Sequence, residues 1–201
     1  LDQGDVMDLP PLYNVCPTTS IPVILSLDGV RRLDRMRWGF LPHWYKATNA
    51  GPLLINARSE TIAENPAFRE ACRQRRCLIP ATGFYEWQRR SDKEKIPWFI
   101  TPADGSPMVM AGIWQHWSGP EGQDYTTCAV VTCAANADLN PIHHRMPVLL
   151  TPEAFPLWLG ESGKGAAVLM KPAPDASLTA HRVGAAVDTA RAQGPDHKRP
   201  L

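Results

Sequence analysis

The sequence has almost no net charge and no long apolar run. Its 201 residues carry 21 Lys and Arg against 20 Asp and Glu, a formal net charge of +1, and 44% of them are hydrophobic. Chains that are disordered by composition combine low hydrophobicity with high net charge, so this class is excluded. A protein that binds nucleic acid through bulk positive charge is excluded too. No stretch reaches the roughly 18 apolar residues of a membrane span, so we expect no membrane partner.

The sequence also has no initiator Met and no signal-peptide pattern, since it begins with Leu1-Asp2-Gln3-Gly4. It contains five cysteines, an odd number, in a chain that is long enough to form a core without disulfides. We therefore expect a reduced, cytoplasmic protein.

Twenty prolines spread along the chain favour many short strands and turns over long helices. Alternating or apolar runs predict strands at 21–27 and 30–37, joined by the hairpin signal Asp28-Gly29. Further strands are predicted at 97–101, 108–117, 125–132 and 181–188.

Two helix starts are visible in the sequence. Asn65-Pro66 predicts an N-cap followed by a helix over 67–76, and Thr151-Pro152-Glu153 begins a second helix. Two helices among many strands indicate an α+β fold. We expect one domain over residues 1–201, with a curved antiparallel or mixed sheet, or a barrel-like core, and a few flanking helices.

Glu86 stands in the aromatic segment Gly83-Phe84-Tyr85-Glu86-Trp87. A carboxylate buried there would have a raised pKa, which suits a general acid or base. Simple alternation offers a second interpretation, in which Glu86 points to solvent between two inward-facing aromatic rings. The residues alone leave both interpretations open.

Two other polar segments are candidates for chemistry. His143 is followed by His144, and one histidine in a cleft suits a proton shuttle, although the residues alone favour an ordinary loop histidine. Asn56 and Arg58 would share one face of an extended segment, where an amide and a guanidinium suit a sugar-phosphate. The alternative for Arg58 is a surface ion pair with Glu60.

Cysteines and aromatic residues admit two further interpretations. The spacings Cys72-x4-Cys77 and Cys128-x4-Cys133 fit buried thiols better than a zinc site, so we expect no metal. Exposed aromatics such as Trp44 can stack on unpaired bases, although core packing is the commoner role of tryptophan. The segment 69–95 has eight Lys and Arg against four acids, which suits a few phosphates or a solvated surface.

Six segments in order resemble the SOS response-associated peptidase (SRAP) family, and the spacing matches over about residues 11–160. These segments are 13–18, 38–44, 56–61, 83–87, 111–114 and 143–147. The resemblance implies binding of abasic sites in single-stranded DNA. It further implies a protective thiazolidine crosslink, formed by an N-terminal Cys that autoproteolysis exposes. No cofactor is implied, and we expect a monomer associated with the nucleoid on damaged DNA.

The resemblance also implies roles for individual residues. Asn56 would hold the nucleophilic terminus and the sugar, Glu86 would manage protons at the α-amine, and His143 would act as acid or base on the deoxyribose. The DNA-contacting residues would be Arg58 and Thr132 at a phosphate and four residues lining the slot for the bases, namely Pro17, Trp44, Tyr45 and Trp87.

One departure from the family pattern bears on the chemistry. The family's Met-Cys-Gly-Arg opening is absent, and Cys16 stands where the family commonly has Ala. We expect the segment with the nucleophile to be missing from this sequence. As written, the chain would bind single-stranded DNA without forming the thiazolidine, and the alternatives are a non-covalent DNA-binding module or a peptidase acting on other proteins.

Overall fold

The computed structural model describes residues 10–201, and the opening at Leu1 discussed above lies outside them. The strands are β1 Ser20–Leu27, β2 Val30–Trp38, β3 Asn56–Arg58, β4 Arg76–Ala81, β5 Phe84–Arg89, β6 Lys95–Pro102, β7 Met108–Ser118, β8 Asp124–Ala134, β9 Arg145–Pro147 and β10 Leu178–Arg182. The helices are α1 Arg69–Gln74 and α2 Phe155–Leu159, with 3-10 turns at Pro152–Ala154, Ala166–Leu169, Ala185–Asp188 and Pro195–Lys198.

Five strands close into a barrel. The antiparallel order is β2-β1-β4-β7-β8, and β8 returns to β2 through two parallel pairs, Arg37 with Thr127 and Trp38 with Cys128. The hairpin between β1 and β2 turns at Asp28 (φ 53°) and Gly29 (φ 77°), and two positive φ angles match the twist of the flanking strands. The α+β, barrel-like expectation is confirmed, as are the strands around 21–27, 30–37, 97–101, 108–117 and 125–132.

The core follows from the alternation of side chains along the barrel strands. Val23, Met36, Cys77 and Cys128 are each at most 1% exposed. A layer outside the barrel includes α2, whose Trp158 is fully buried and donates its indole N–H to the Cys77 carbonyl oxygen at 2.9 Å. This layer covers the barrel wall that would otherwise expose apolar residues.

A second sheet carries one of the candidate residues. Its three antiparallel strands run in the order β10-β6-β5. Phe99, Val183 and Val187 form a small buried cluster on it, against which Tyr85 and Trp87 pack. Because neighbouring side chains of a strand point to opposite faces, Glu86 projects from the other face of β5.

The helix predicted over 67–76 is shorter than expected. The predicted N-cap at Asn65 is wrong, because α1 begins at Arg69 with Phe68 as its N-cap and without a side-chain cap; the Asn65 side-chain oxygen instead accepts the Ala67 N–H at 2.9 Å in the preceding turn. Residues 66–68 form turns, and α1 ends at Gln74 because Arg76 already pairs with Ile113 in the barrel. Sheet pairing therefore overrides local helix propensity at this end.

The strand predicted at 181–188 is wrong beyond its first two residues. β10 ends at Arg182, and Ala185–Asp188 forms a 3-10 turn. The ladder with β6 reaches the pair Arg182 and Trp98, and the next position on β6 is Pro97, which has no N–H to donate. Within the described residues, no helix is long and apolar enough to cross a membrane.

We predict that Gly112→Ala destabilises the barrel. A Cβ at Gly112 would lie 2.8 Å from both Cys77 Sγ and Ile79 Cδ1, so the packed interior must shift. Overpacking of this kind costs about 1–3 kcal/mol, measurable by urea unfolding. The control is Gly184→Ala, where the nearest atom would be 4.0 Å away, and we expect no loss there. Equal stability of the two variants would contradict this packing.

Candidate functional site

Glu86 and His143 contact each other across two distant parts of the chain. The Nδ1 atom of His143 lies 3.3 Å from Oε1 of Glu86, and their side chains are 32% and 26% exposed. The pair is therefore shielded on most sides but still reachable from solvent. This arrangement favours the first of the two interpretations of Glu86, in which the carboxylate is part of a site.

The environment of Glu86 shifts its acidity. Burial raises the pKa of the Glu86 carboxyl, while the positive charge that His143 can carry and the backbone N–H of Trp87 both act to lower that pKa. Burial is the largest of these effects. A carboxyl whose pKa is moved toward neutrality can exchange a proton with a substrate amine near pH 7.

The loop that carries His143 fixes the orientation of the imidazole. The Arg145 backbone N–H donates to His143 Nδ1 at 3.1 Å, and Gln88 Nε2 donates to the Pro141 carbonyl oxygen at 2.8 Å. Nδ1 also lies 3.1 Å from the Arg145 carbonyl oxygen, so this nitrogen accepts the N–H in one neutral tautomer and donates a proton in the other. When the ring is charged, Nδ1 also carries a proton and faces Glu86, so a proton can pass between the two groups.

Arg145 connects this loop to β3 and β8. Its guanidinium binds Glu60 through two bonds, 2.7 Å from Nη1 to Oε1 and 2.9 Å from Nη2 to Oε2. Nη2 also donates to the carbonyl oxygen of Thr132 at 2.9 Å and to its hydroxyl at 3.2 Å. Arg145 holds the pKa of the Glu60 carboxyl at about 2. The bidentate pair thus keeps the His143 loop against the strand that carries Asn56.

Asn56 and Arg58 lie at the two ends of β3, with their side chains on one face and the fully buried Ala57 between them. β3 runs parallel to β8, with Asn56 opposite Val130 and Arg58 opposite Thr132. The ion pair considered for Arg58 and Glu60 is not formed, because Glu60 pairs with Arg145. Among the described residues, Arg58 has no carboxylate within ion-pair distance.

Three of the predicted DNA-contacting residues lie in loops beside β2. Trp44 is 47% exposed, with its ring edge-on to His43, and the Tyr45 hydroxyl donates to the Pro52 carbonyl oxygen at 3.2 Å. Pro17 lies in the turn before β1, and the next residue, Thr18, donates its N–H to the Trp38 carbonyl oxygen. The exposed Trp44 ring fits base stacking better than core packing.

Trp87 lies apart from Glu86 and His143. Its ring packs on the small cluster of the second sheet, and its indole N–H donates to Asp188 Oδ1 at 2.6 Å. Because Trp87 lies on the opposite face of β5, its packing and this hydrogen bond are sufficient to explain a tryptophan at this position. A stacking role for Trp87 stays a prediction that the structure gives no added reason to favour.

The cysteines do not form a cluster of metal ligands in the part of the chain that is described. No group of three or more His, Cys, Asp or Glu residues there is arranged to hold a metal ion. Cys77, Cys128 and Cys133 are buried, and burial raises the pKa of Cys128 to about 12 and that of Cys133 to about 11. These thiols stay protonated near neutral pH and are poor nucleophiles.

Comparison with known proteins agrees with the sequence motifs. The profile of the family "SOS response associated peptidase (SRAP)" matches residues 2–190. The chain belongs to this family. It is 36% identical over 189 residues to abasic site processing protein YoqW of Bacillus subtilis (strain 168), which covers 92% of this chain and 84% of YoqW.

Two further relatives extend this comparison. Abasic site processing protein YedK of Escherichia coli (strain K12) is 35% identical over 195 residues, which cover 94% of this chain and 84% of YedK. The crystal structure of a protein from Bacteroides thetaiotaomicron superposes with a TM-score of 0.81 at 30% identity, covering 92% of this SRAP chain and 82% of that protein. The fold is therefore that of the family.

The sequence analysis assigned no role to Arg145 and considered Glu60 only as a partner of Arg58, although both lie in the SRAP motifs. Each motif was interpreted by itself, whereas the structure joins the two motifs through this ion pair. The available signal was an arginine without an assigned role two residues after His143 and an acid two residues after Arg58. An arginine and an acid that each stand two residues after a candidate site residue indicate an ion pair between the two segments.

We predict that His143→Gln raises the pKa of Glu86 further. The substitution removes a positive charge that lowers this pKa and leaves the effect of burial in place. The carboxyl carbon of Glu86, followed by NMR across the acid range, reports the shift. The exposed neighbour His144→Gln should leave the titration of Glu86 unchanged. A downward shift in the His143 variant would refute the contact.

We predict that Glu60→Gln lowers stability by less than about 1 kcal/mol at pH 7, because the carboxylate is half exposed. The pKa of Glu60 is lowered from 4.5 to about 2, so its contribution is complete above 4.5 and is lost as the pH falls toward 2. Urea unfolding at pH 7 and pH 3 should therefore give a smaller difference at pH 3. Glu64→Gln, an exposed acid of the same segment, should show little effect at either pH.

Proposed function

We propose that this SRAP chain binds abasic sites in single-stranded DNA. The proposal depends chiefly on one observation, the Glu86–His143 contact at 3.3 Å, whose loop is joined through Arg145 and Glu60 to the segment of β3 that presents Asn56 and Arg58. Acid-base groups next to an amide and a free guanidinium suit a ring-opened sugar with its phosphate. The names of YoqW and YedK, both abasic site processing proteins, support the same substrate.

In this proposal, each side chain has a defined task. Asn56 positions the sugar through its amide, Arg58 binds a phosphate with help from Thr132, and Trp44, Tyr45 and Pro17 stack against or wedge between the bases next to the lesion. The half-buried Glu86 takes a proton from an attacking amine, and His143 assists opening of the deoxyribose. Trp87 supports β5 through its packing, and its predicted stacking on a base stays the least supported of these tasks.

The crosslinking step needs a nucleophile that is not among these 201 residues. A cysteine exposed at the N-terminus by hydrolysis of a Met–Cys bond would add its α-amine to the sugar aldehyde and release water as the imine forms. Its thiol would then add across the imine carbon to close the thiazolidine, with the thiol proton passing to the nitrogen. Glu86 and His143 would move protons in both stages.

The proposal predicts how two proteins handle abasic DNA. The 201-residue chain should bind a single strand with one abasic site more tightly than the intact strand, without a bond that survives denaturation. A protein that begins with Met-Cys-Gly-Arg ahead of this sequence should give a denaturant-stable band on a gel, and Glu86→Gln should slow its formation by at least about tenfold. The variant Arg58→Gln should bind the abasic strand about three- to tenfold more weakly, because it loses the guanidinium proposed to bind a phosphate. The affinity of this variant should also depend less on salt.

The control is Arg32→Gln, which removes an exposed charge on β2 and should change neither binding nor crosslinking. Equal affinity for abasic and intact strands would refute lesion recognition. Absence of the stable band from the protein with a verified N-terminal cysteine would refute the crosslinking step. Turnover of an unrelated peptide would instead support a peptidase acting on other proteins.

A further inference from the structure

A polar cleft of about 480 Å³ lies beside β2, apart from Glu86 and His143. Two guanidiniums line it, those of Arg35 and Arg37, which both project from the side of β2 opposite to the buried Met36. Five hydroxyl side chains surround them, from Thr18, Ser20, Thr48, Tyr125 and Thr126. Guanidinium groups combined with hydroxyl donors are well suited to bind phosphate oxygens.

Both arginines lack a carboxylate partner. Arg37 donates to the Gly39 carbonyl oxygen, and Arg35 donates to that of Ser20 at 3.2 Å. In residues 10–201, no carboxylate lies within ion-pair distance of either guanidinium. Asp124 lines the cleft too, but it is engaged by His116 and by the Ser118 hydroxyl, each at 2.8 Å.

Of the two arginines, Arg37 is the one whose unpaired charge is partly buried. This burial lowers the pKa of the Arg37 guanidinium. Gly39, at φ 142°, leaves the space for it, since a Cβ there would lie 2.6 Å from Arg37 Nη1. Holding a desolvated charge without a counter-charge costs free energy, which an anion bound in the cleft would offset.

The cleft adjoins the loops to which base stacking is assigned. Thr18 directly follows Pro17, and Thr48 belongs to the same loop as Trp44 and Tyr45. A DNA strand that stacks on Trp44 and continues along these two loops would reach the cleft at Thr18 and Thr48, which line it. Its backbone carries one phosphate per nucleotide, so the guanidiniums would meet an anion there.

We propose that Arg35 and Arg37 form a second phosphate site, which binds the backbone of the single strand beyond the residues that stack on its bases. The inference rests on the proposed binding of single-stranded DNA. It extends the contact surface from the lesion to the flanking strand, and it assigns a role to two arginines that lie outside the six SRAP segments or at their margin. Duplex DNA and protein partners are not required for it.

The test compares a short and a long strand, each with one abasic site, using fluorescence anisotropy. A strand of about five nucleotides covers the lesion only, and one of about fifteen also reaches the cleft. In Arg35→Gln/Arg37→Gln, affinity for the long strand should fall about tenfold and the salt slope by about 1.4, the value for two phosphates on a single strand. Affinity for the short strand should stay unchanged, and Arg32→Gln should match wild type on both.

A second variant keeps the test valid if the double variant is unstable. Asp124→Asn removes a negative charge from the cleft and should strengthen binding of the long strand about twofold without affecting the short one. Inorganic phosphate that competes with both strands equally would place the anion at the lesion site and overturn the proposal.

Three results separate this inference from the function it rests on. Loss of affinity for the long strand alone supports the second site. Unchanged long-strand binding in the folded double variant refutes the second site and leaves the proposed function standing. Failure of the wild-type chain to bind either strand refutes both.

Discussion

The pairing of β8 is the constraint on which the site depends. This strand pairs antiparallel with β7 on one edge, and on the other edge it pairs parallel with β2 near Thr127 and with β3 from Val130 to Thr132. The first parallel pairing closes the barrel, and the second aligns Asn56 and Arg58 along the end of β8. β9 then pairs with the last residues of β8, and from there the Arg145 side chain reaches Glu60, two residues beyond β3.

The electrostatics of the site follow from this alignment. Arg145 is neutralised by Glu60 and by the oxygens of Thr132, so it holds elements together and has little charge left for a ligand. Arg58, on the neighbouring strand, keeps its charge available. The pKa values of the two glutamates shift in opposite directions. Burial disfavours the ionised form of Glu86 and raises its pKa, whereas Arg145 stabilises Glu60 as an anion and lowers its pKa. Two glutamates thus take two roles, which their surroundings determine.

Local signals predicted the elements that local chemistry controls. Asp28-Gly29 specified a hairpin, because the turn is made by neighbouring residues, and Asn65 specified the turn ahead of α1, where its side chain accepts the Ala67 N–H. The end of α1 and the end of β10 were not predictable in this way, since each depends on a distant strand. The surroundings of Glu86 were not predictable either. Alternation along β5 predicts that Glu86 faces away from Trp87, but its contact is with His143, 57 positions later in the chain.

The near-zero net charge is compatible with nucleic-acid binding because affinity depends on which charges are left unpaired. Arg31, Arg75 and Arg145 each have a carboxylate partner, so they add little attraction for a phosphate. Arg35, Arg37 and Arg58 have none within the described residues, and they lie on β2 and β3, on either side of the loop that exposes Trp44. A few unpaired guanidiniums placed around one stacking residue would recognise a single strand locally. Such a surface would bind fewer phosphates than a uniformly basic one, and its affinity would therefore depend less steeply on salt.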